Sequence, residues 1–192
     1  MESSPRLKGD KVRKLGIAAA AVMAFAVLTA PLAVSGQMPT ILRPIQIGVA
    51  AGAGIPVSDL GNSFNTGFNI TGTIGINPAG LPVGFRADVA YNQFGSKGAT
   101  SVKAKFASVS GNVVVPMAAV GIKPYAIGGI GFYHVSSSVT GSTASNDIGF
   151  NVGAGINIPL TGFATFVEAR YNRVSESGGS ASFVPITFGV MF

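Results

Sequence analysis

None of the 192 residues is cysteine. That excludes disulfide staples, thiolate metal sites and cysteine nucleophiles. It also excludes the lipid-attachment cysteine that a bacterial lipoprotein carries behind its leader. Charge is scarce too: charged residues make up 10% of the chain, against roughly 25% in an average globular protein. After the first 36 residues no run of eighteen apolar residues occurs, so no membrane-spanning helix is expected there. What is abundant is apolarity (47% hydrophobic residues, mean hydropathy +0.49) and glycine, with 27 residues. Low charge joined to high apolarity excludes ordinary disorder. It implies an outer surface that need not satisfy water.

The net charge of +6 divides between two regions. Residues 1–36 carry Arg6, Lys8, Lys11, Arg13 and Lys14 against Glu2 and Asp10, and the rest of the chain carries eight basic and five acidic residues. No basic cluster with interleaved aromatics occurs outside the first segment, so no nucleic-acid partner is expected. Lys11–Lys14 form a positive region, Leu15–Leu32 an apolar stretch, and Ala33-Val34-Ser35-Gly36 a run of small residues. This is the layout of a cleavable secretory signal peptide. The expected organisation is a signal peptide over 1–36 and one domain over 37–192.

Hydrophobic, exported and helix-free together leave few architectures. The bilayer core admits only helices and closed barrels, because every backbone polar group there must be paired internally. Period-two alternation recurs in eight segments. Its clearest case is Ile148–Ile158, with Ile148, Phe150, Val152, Ala154, Ile156 and Ile158 on one face and Gly149, Asn151, Gly153, Gly155 and Asn157 on the other. That length suits a tilted transmembrane strand of about 9–11 residues. Other strands are expected near 45–54, 68–76, 83–92, 103–115, 124–135, 167–171 and 184–192. The fifth is too rich in glycine for its faces to be assigned. The links 56–66, 95–102, 136–146 and 174–181 are polar or rich in Gly and Ser. The links 77–82, 116–123 and 159–162 are shorter and each contains proline. Short turns on one side and longer loops on the other are the pattern of a membrane barrel, and an even strand number returns both ends to one side.

A soluble barrel has the same period with its apolar face turned inward. Three features favour the membrane. The polar faces hold Gly, Ser, Thr and Asn rather than the many charges of a water-facing surface. Aromatics (Phe68, Phe85, Tyr91, Phe163, Tyr171, Phe192) fall near strand ends, where girdles meet the lipid interface. The sequence also stops on an apolar strand. The expected fold is all-β: an eight-stranded antiparallel up-and-down transmembrane barrel.

Three stretches carry a family resemblance: Pro124-Tyr125-Ala126-Ile127-Gly128-Gly129-Ile130-Gly131-Phe132, Phe166-Val167-Glu168-Ala169-Arg170-Tyr171, and Ile186-Thr187-Phe188-Gly189-Val190-Met191-Phe192. Over about residues 45–192 the chain resembles the small outer-membrane β-barrel superfamily of OmpA-like and OmpX-like barrels. The resemblance implies residence in the outer membrane of a Gram-negative-type envelope. It also implies an assembly signal at Phe188, Val190 and Phe192, read by the barrel-assembly machinery. Full-length OmpA continues into a periplasmic domain after its barrel. The present sequence ends on the barrel strand, so no peptidoglycan anchoring is expected.

Four charged residues fall on inward faces: Arg86 and Asp88 on the third strand, Glu168 and Arg170 on the seventh. An eight-stranded barrel is just wide enough for side chains to fill it, and unpaired charges there are costly. An ion-pair cluster that plugs the lumen is expected, the alternative being a narrow passive channel. His134, the single histidine, begins a His134-Val135-Ser136 string that resembles the His-x-Ser arrangement of lipid A deacylase barrels. There a histidine serves as base for a serine oriented by an acid, for which Asp147 is the candidate. Ser137 stands where that family has asparagine. No enzyme activity is expected, a lipid A-modifying enzyme using His134 and Ser136 being the third reading. Lys97, Lys103, Lys105 and Arg173 lie near the outer ends of their strands as candidate contacts for lipopolysaccharide phosphates. Gly52-Ala53-Gly54 and Gly128-Gly129-Ile130-Gly131 open no helix and are not phosphate loops; inward glycines instead make room for bulkier neighbours. No cofactor, no metal and no catalytic residue is expected. The functional expectation is a monomeric structural or surface-interaction barrel, bound by outer-membrane lipid and by an unnamed ligand of its loops.

Overall fold

The structure is a computed structural model that describes residues 45–98, 102–119, 121–139, 141–176 and 178–192. The expected leader and the first residues of the domain lie outside them. Among the described residues the strands are β1 (Ile45–Val57), β2 (Gly67–Ile76), β3 (Gly84–Gly95), β4 (Lys103–Pro116), β5 (Lys123–Ser137), β6 (Ser145–Pro159), β7 (Ala164–Glu176) and β8 (Gly179–Met191). Each pairs antiparallel with the next, and β8 pairs with β1, so the sheet closes into an up-and-down barrel. Phe192 completes the closure. Its backbone N–H donates to the Ile47 carbonyl at 2.8 Å, and its carbonyl accepts from the Ile47 N–H at 3.1 Å.

The alternation read from the sequence decides which way each side chain points, and the polarity is inverted relative to a soluble barrel. Phe132, Val89 and Ile130 face away from the lumen with 71%, 63% and 63% of their surface exposed, whereas Asp88 and Glu168 inside keep only 2% and 3%. Water cannot be the solvent of so continuous an apolar outer face. Hydrocarbon can. This distribution removes the soluble-barrel alternative on physical grounds.

Two rims follow from the connectivity. At the terminal rim, where β1 starts and β8 ends, the strands are joined across residues 77–83, 117–122 and 160–163. Aromatics gather at this rim, where Phe163 packs on Phe192 with centroids 6.2 Å apart. At the opposite, far rim the strands run on past the apolar belt.

Two expectations about that far rim change. The link 56–66 contains a short helix, α1 (Ser58–Ser63), entered through Ser58 at φ 54°. The link expected over 174–181 is mostly strand: β7 and β8 stay paired out to Glu176↔Gly179. Serine and glycine there are turn formers by composition, yet the ladder absorbs them because both neighbouring strands are already in register.

Strand β5, unassigned from sequence, turns Tyr125, Ile127 and Tyr133 inward and Ile130 and Phe132 outward. Inward glycines make space for these large rings. A Cβ added at Gly155 would lie 2.4 Å from the Tyr125 ring, and one at Gly189 would lie 2.4 Å from Phe166.

Candidate functional site

The lumen holds three layers. The middle one is ionic. Arg86 Nη2 donates to both carboxylate oxygens of Glu168 at 2.8 and 2.7 Å, and Arg170 Nη2 lies 2.7 Å from Asp88 Oδ2. Arg86 Nε is 3.2 Å from Asp88 Oδ1, and Arg170 Nε donates to Glu168. Two guanidiniums and two carboxylates therefore alternate in a closed, neutral ring that joins β3 to β7 across the barrel. Such a ring lets each buried charge find opposite charge on two sides, as low polarity demands.

Neutral donors complete it. Tyr125 O–H donates to Glu168 Oε2 at 2.7 Å, and Asn112 Nδ2 donates to Asp88 Oδ2 at 2.8 Å. Asn151 Nδ2 in turn donates to Asn112 Oδ1 at 2.8 Å, so the network reaches β6. The Arg86 guanidinium also lies 5.8 Å from the centroid of Phe166, within cation–π range.

The outer layer is apolar. Phe94, Phe106 and Phe183 meet with centroids 5.1–5.8 Å apart, and Tyr133, Val174, Ala104 and Ala181 surround them. Leu60 of α1 and Phe64 pack on this group from the far rim. The inner layer is smaller: Ala50, Phe166 and Met191, with Ala164 beside them. One pocket in the lumen, lined among others by Arg86, Asp88, Glu168 and Arg170, has a volume of about 30 Å³, room for one or two water molecules.

His134 and Ser136 share the outward face of β5. His134 Nδ1 lies 2.9 Å from Asn146 Oδ1, its register partner on β6. Asp147 is not the acid that orients this histidine. It is opposite Tyr133 in the register, faces the lumen, and accepts a hydrogen bond from Ser145. Successive residues of a strand point to opposite faces, so the neighbour Asn146 takes the place expected for Asp147.

The four outer cations do not form one patch. Lys103 and Lys105 lie on β4 at outward positions. Lys97, in the link before β4, donates to the Gly61 carbonyl of α1. Arg173 is outward on β7, with β5 and β6 between it and β4. Strand ends can share a rim and still point in different directions around a barrel. Among the described residues no cluster of His, Asp or Glu has the makings of a metal site.

Comparison with known proteins places this architecture. The family model described as outer membrane protein beta-barrel domain matches residues 17–192. The chain belongs to that family. Among solved structures the outer-membrane barrel is similar to Neisserial surface protein A, with a TM-score of 0.61, 18% identity, and coverage of 77% of this chain and 96% of that one. It is also similar to the outer membrane enzyme PagL, with a TM-score of 0.51, 17% identity, and coverage of 77% and 98%. Both likenesses show the fold. No curated protein sequence matches the chain.

Within this outer-membrane barrel Phe188, Val190 and Phe192 lie on the outward side of the closing strand. The residues that sequence reasoning missed are Tyr125 and Asn112, which complete the ionic ring, and Phe94, Phe106 and Phe183, which close the lumen above it. The parity that placed Arg86 and Asp88 inside also places Phe94 inside, so that part of the signal was present.

Proposed function

We propose that this protein is a monomeric, non-enzymatic barrel of the outer membrane with a structural or surface-interaction role. Its terminal rim faces the periplasm, and its far rim faces outward. Phe188, Val190 and Phe192 form the signal read by the assembly machinery, and α1 and the far-rim links present the surface to ligands. The observation that carries this reading is the filling of the lumen by side chains: a neutral ionic ring lies between two apolar layers. A conducting path needs continuous water, and an aromatic constriction excludes it. Purified protein in planar bilayers is expected to give no reproducible conductance steps. Clear single-channel steps of constant size would contradict a plugged lumen and favour the narrow-channel reading.

The second reading is a lipid A-modifying enzyme, favoured by the His134–Asn146 contact. With its proton on Nδ1 the ring donates to the Asn146 amide oxygen, leaving Nε2 free as a base. Two observations weigh against it. Among the described residues no hydrogen bond joins His134 to Ser136, and a neutral amide cannot stabilise an imidazolium as a carboxylate does. Lipid A from cells expressing the protein is expected to have the same acylation pattern in mass spectra as lipid A from cells without it. A shortened acyl inventory that disappears with Ser136→Ala would establish the enzyme instead.

A further inference from the structure

One seam of the barrel wall is interrupted. Among the described residues the other ladders run without a break, but β7 and β8 skip two successive pairs: after Ala169↔Ile186 the register resumes at Asn172↔Phe183. Opposite Arg170 in this gap stands Pro185, the middle residue of β8. The other strand prolines, Pro56, Pro116, Pro124 and Pro159, all lie at or next to a strand end. A proline lacks the N–H that a ladder needs, so within sheets it is kept to edges, strand ends and bulges. A closed barrel has no edge.

The parity of β8 tells which bond is missing. Phe192 and Ile47 exchange both backbone hydrogen bonds, so every second residue back along β8 bonds to β1. The residues between them, Pro185 included, turn their backbone groups to β7. The group left without its ladder donor is therefore the Arg170 carbonyl, at the level of the ionic ring. Within a membrane such a group must find its partner inside the protein. A side chain supplies it: Asn172 Nδ2 donates to the Arg170 carbonyl at 3.4 Å. Tyr133 holds Asn172 in place, its O–H donating to Asn172 Oδ1 at 3.0 Å. On the outward side Tyr171 O–H donates to Ser182 Oγ at 2.9 Å and ties β7 to β8 beside the same gap.

We propose that this seam is a conformational device built into the wall: the barrel parts first between β7 and β8 at Pro185, and Asn172 holds it shut as a stand-in for the missing backbone donor. A contact of 3.4 Å is long for an N–H···O bond, so the stand-in is weaker than the ladder bond it replaces. The seam is closed but yielding. Asn172 acts here as a positioning residue, and its fixed place between Tyr133 and the Arg170 carbonyl is what the role requires. The inference needs only the closed fold and its register, and it stands whatever the far rim binds.

Alternate residues of β7 face opposite seams, so one strand supplies both signal and control. In the full-length protein folded in detergent micelles, hydrogen–deuterium exchange is followed by NMR at single amides. Those of Arg170 and Asn172 turn to β8, and those of Ala169 and Tyr171 turn to β6. The first two should exchange about tenfold faster, the factor that one hydrogen bond of ordinary net strength gives. A double-mutant cycle tests the stand-in. Asn172→Leu should lower the urea midpoint of the refolded barrel, and should lower it much less in the Pro185→Ala background, where a backbone N–H again meets the Arg170 carbonyl. Loss of the Tyr133 contact is common to both backgrounds and cancels. Equal exchange at the two sets of amides would overturn the opening point, and equal lowering in the two backgrounds would overturn the role of Asn172. The exchange comparison uses the wild type alone, so it decides even where a variant fails to refold.

Discussion

Glu168 is the residue on which the lumen turns, because it accepts from Arg86, Arg170 and Tyr125 at once. Replacing it with alanine leaves two guanidiniums facing the single carboxylate of Asp88. Removing one partner of a buried ion pair costs about 3–5 kcal/mol, while replacing both by apolar groups is often neutral. Glu168→Ala is therefore expected to lower the urea midpoint of the refolded barrel strongly, and Arg86→Met with Glu168→Leu to lower it much less. If the double variant loses as much as the sum of the single ones, the ring is not a coupled unit. The presence of these four residues inside was legible in the sequence, since alternation put them on inward faces and a confined lumen demands pairing. Who pairs with whom was not. Arg86 meets Glu168 across 82 residues of chain, a relation set by strand tilt and register rather than by any local pattern. Asp147 illustrates the same limit. It was the candidate acid for His134, yet face alternation sets it opposite Tyr133 on the lumen side.

At the scale of elements, the strands were readable wherever one face was plainly apolar. On β5 the glycines at 128, 129 and 131 lie on both faces and hide the period. Only Tyr125, Ile127 and Tyr133, all at odd positions, reveal it once the partners are known. The aromatic layer over the ring assembles from β3, β4 and β8, so no single strand announces it. Such aromatic contacts add about 0.5–1.5 kcal/mol each beyond the burial of their area. Phe183→Ala removes the ring shared by two of these contacts and leaves a cavity, so a loss of about 3–5 kcal/mol is expected. Phe85→Ala, on the outward face of β3, leaves a space that lipid fills and should cost less for want of the cavity term. Equal losses in refolding titrations would mean that the outer layer is loosely packed. The link between β7 and β8 carries a related lesson: a Ser/Gly-rich composition reads as loop, yet the ladder continues to its end.

The molecule as a whole turns a soluble protein inside out. Its ion pairs and most strand asparagines are within, most of its strand isoleucines and valines are without, and the closed ladder leaves no unpaired strand edge. Each of these facts answers one demand of hydrocarbon: no free backbone groups, no outward carboxylates in the apolar belt, and apolar contact on every side. Low charge, the alternating period and the missing second apolar helix announced that architecture in the sequence, because the demand acts on every strand at once. The measurement that tests it most directly is separation of cell envelopes by density. The account predicts that the protein travels with the outer-membrane fraction and resists extraction by salt and alkali. Recovery in the soluble periplasmic fraction would contradict it.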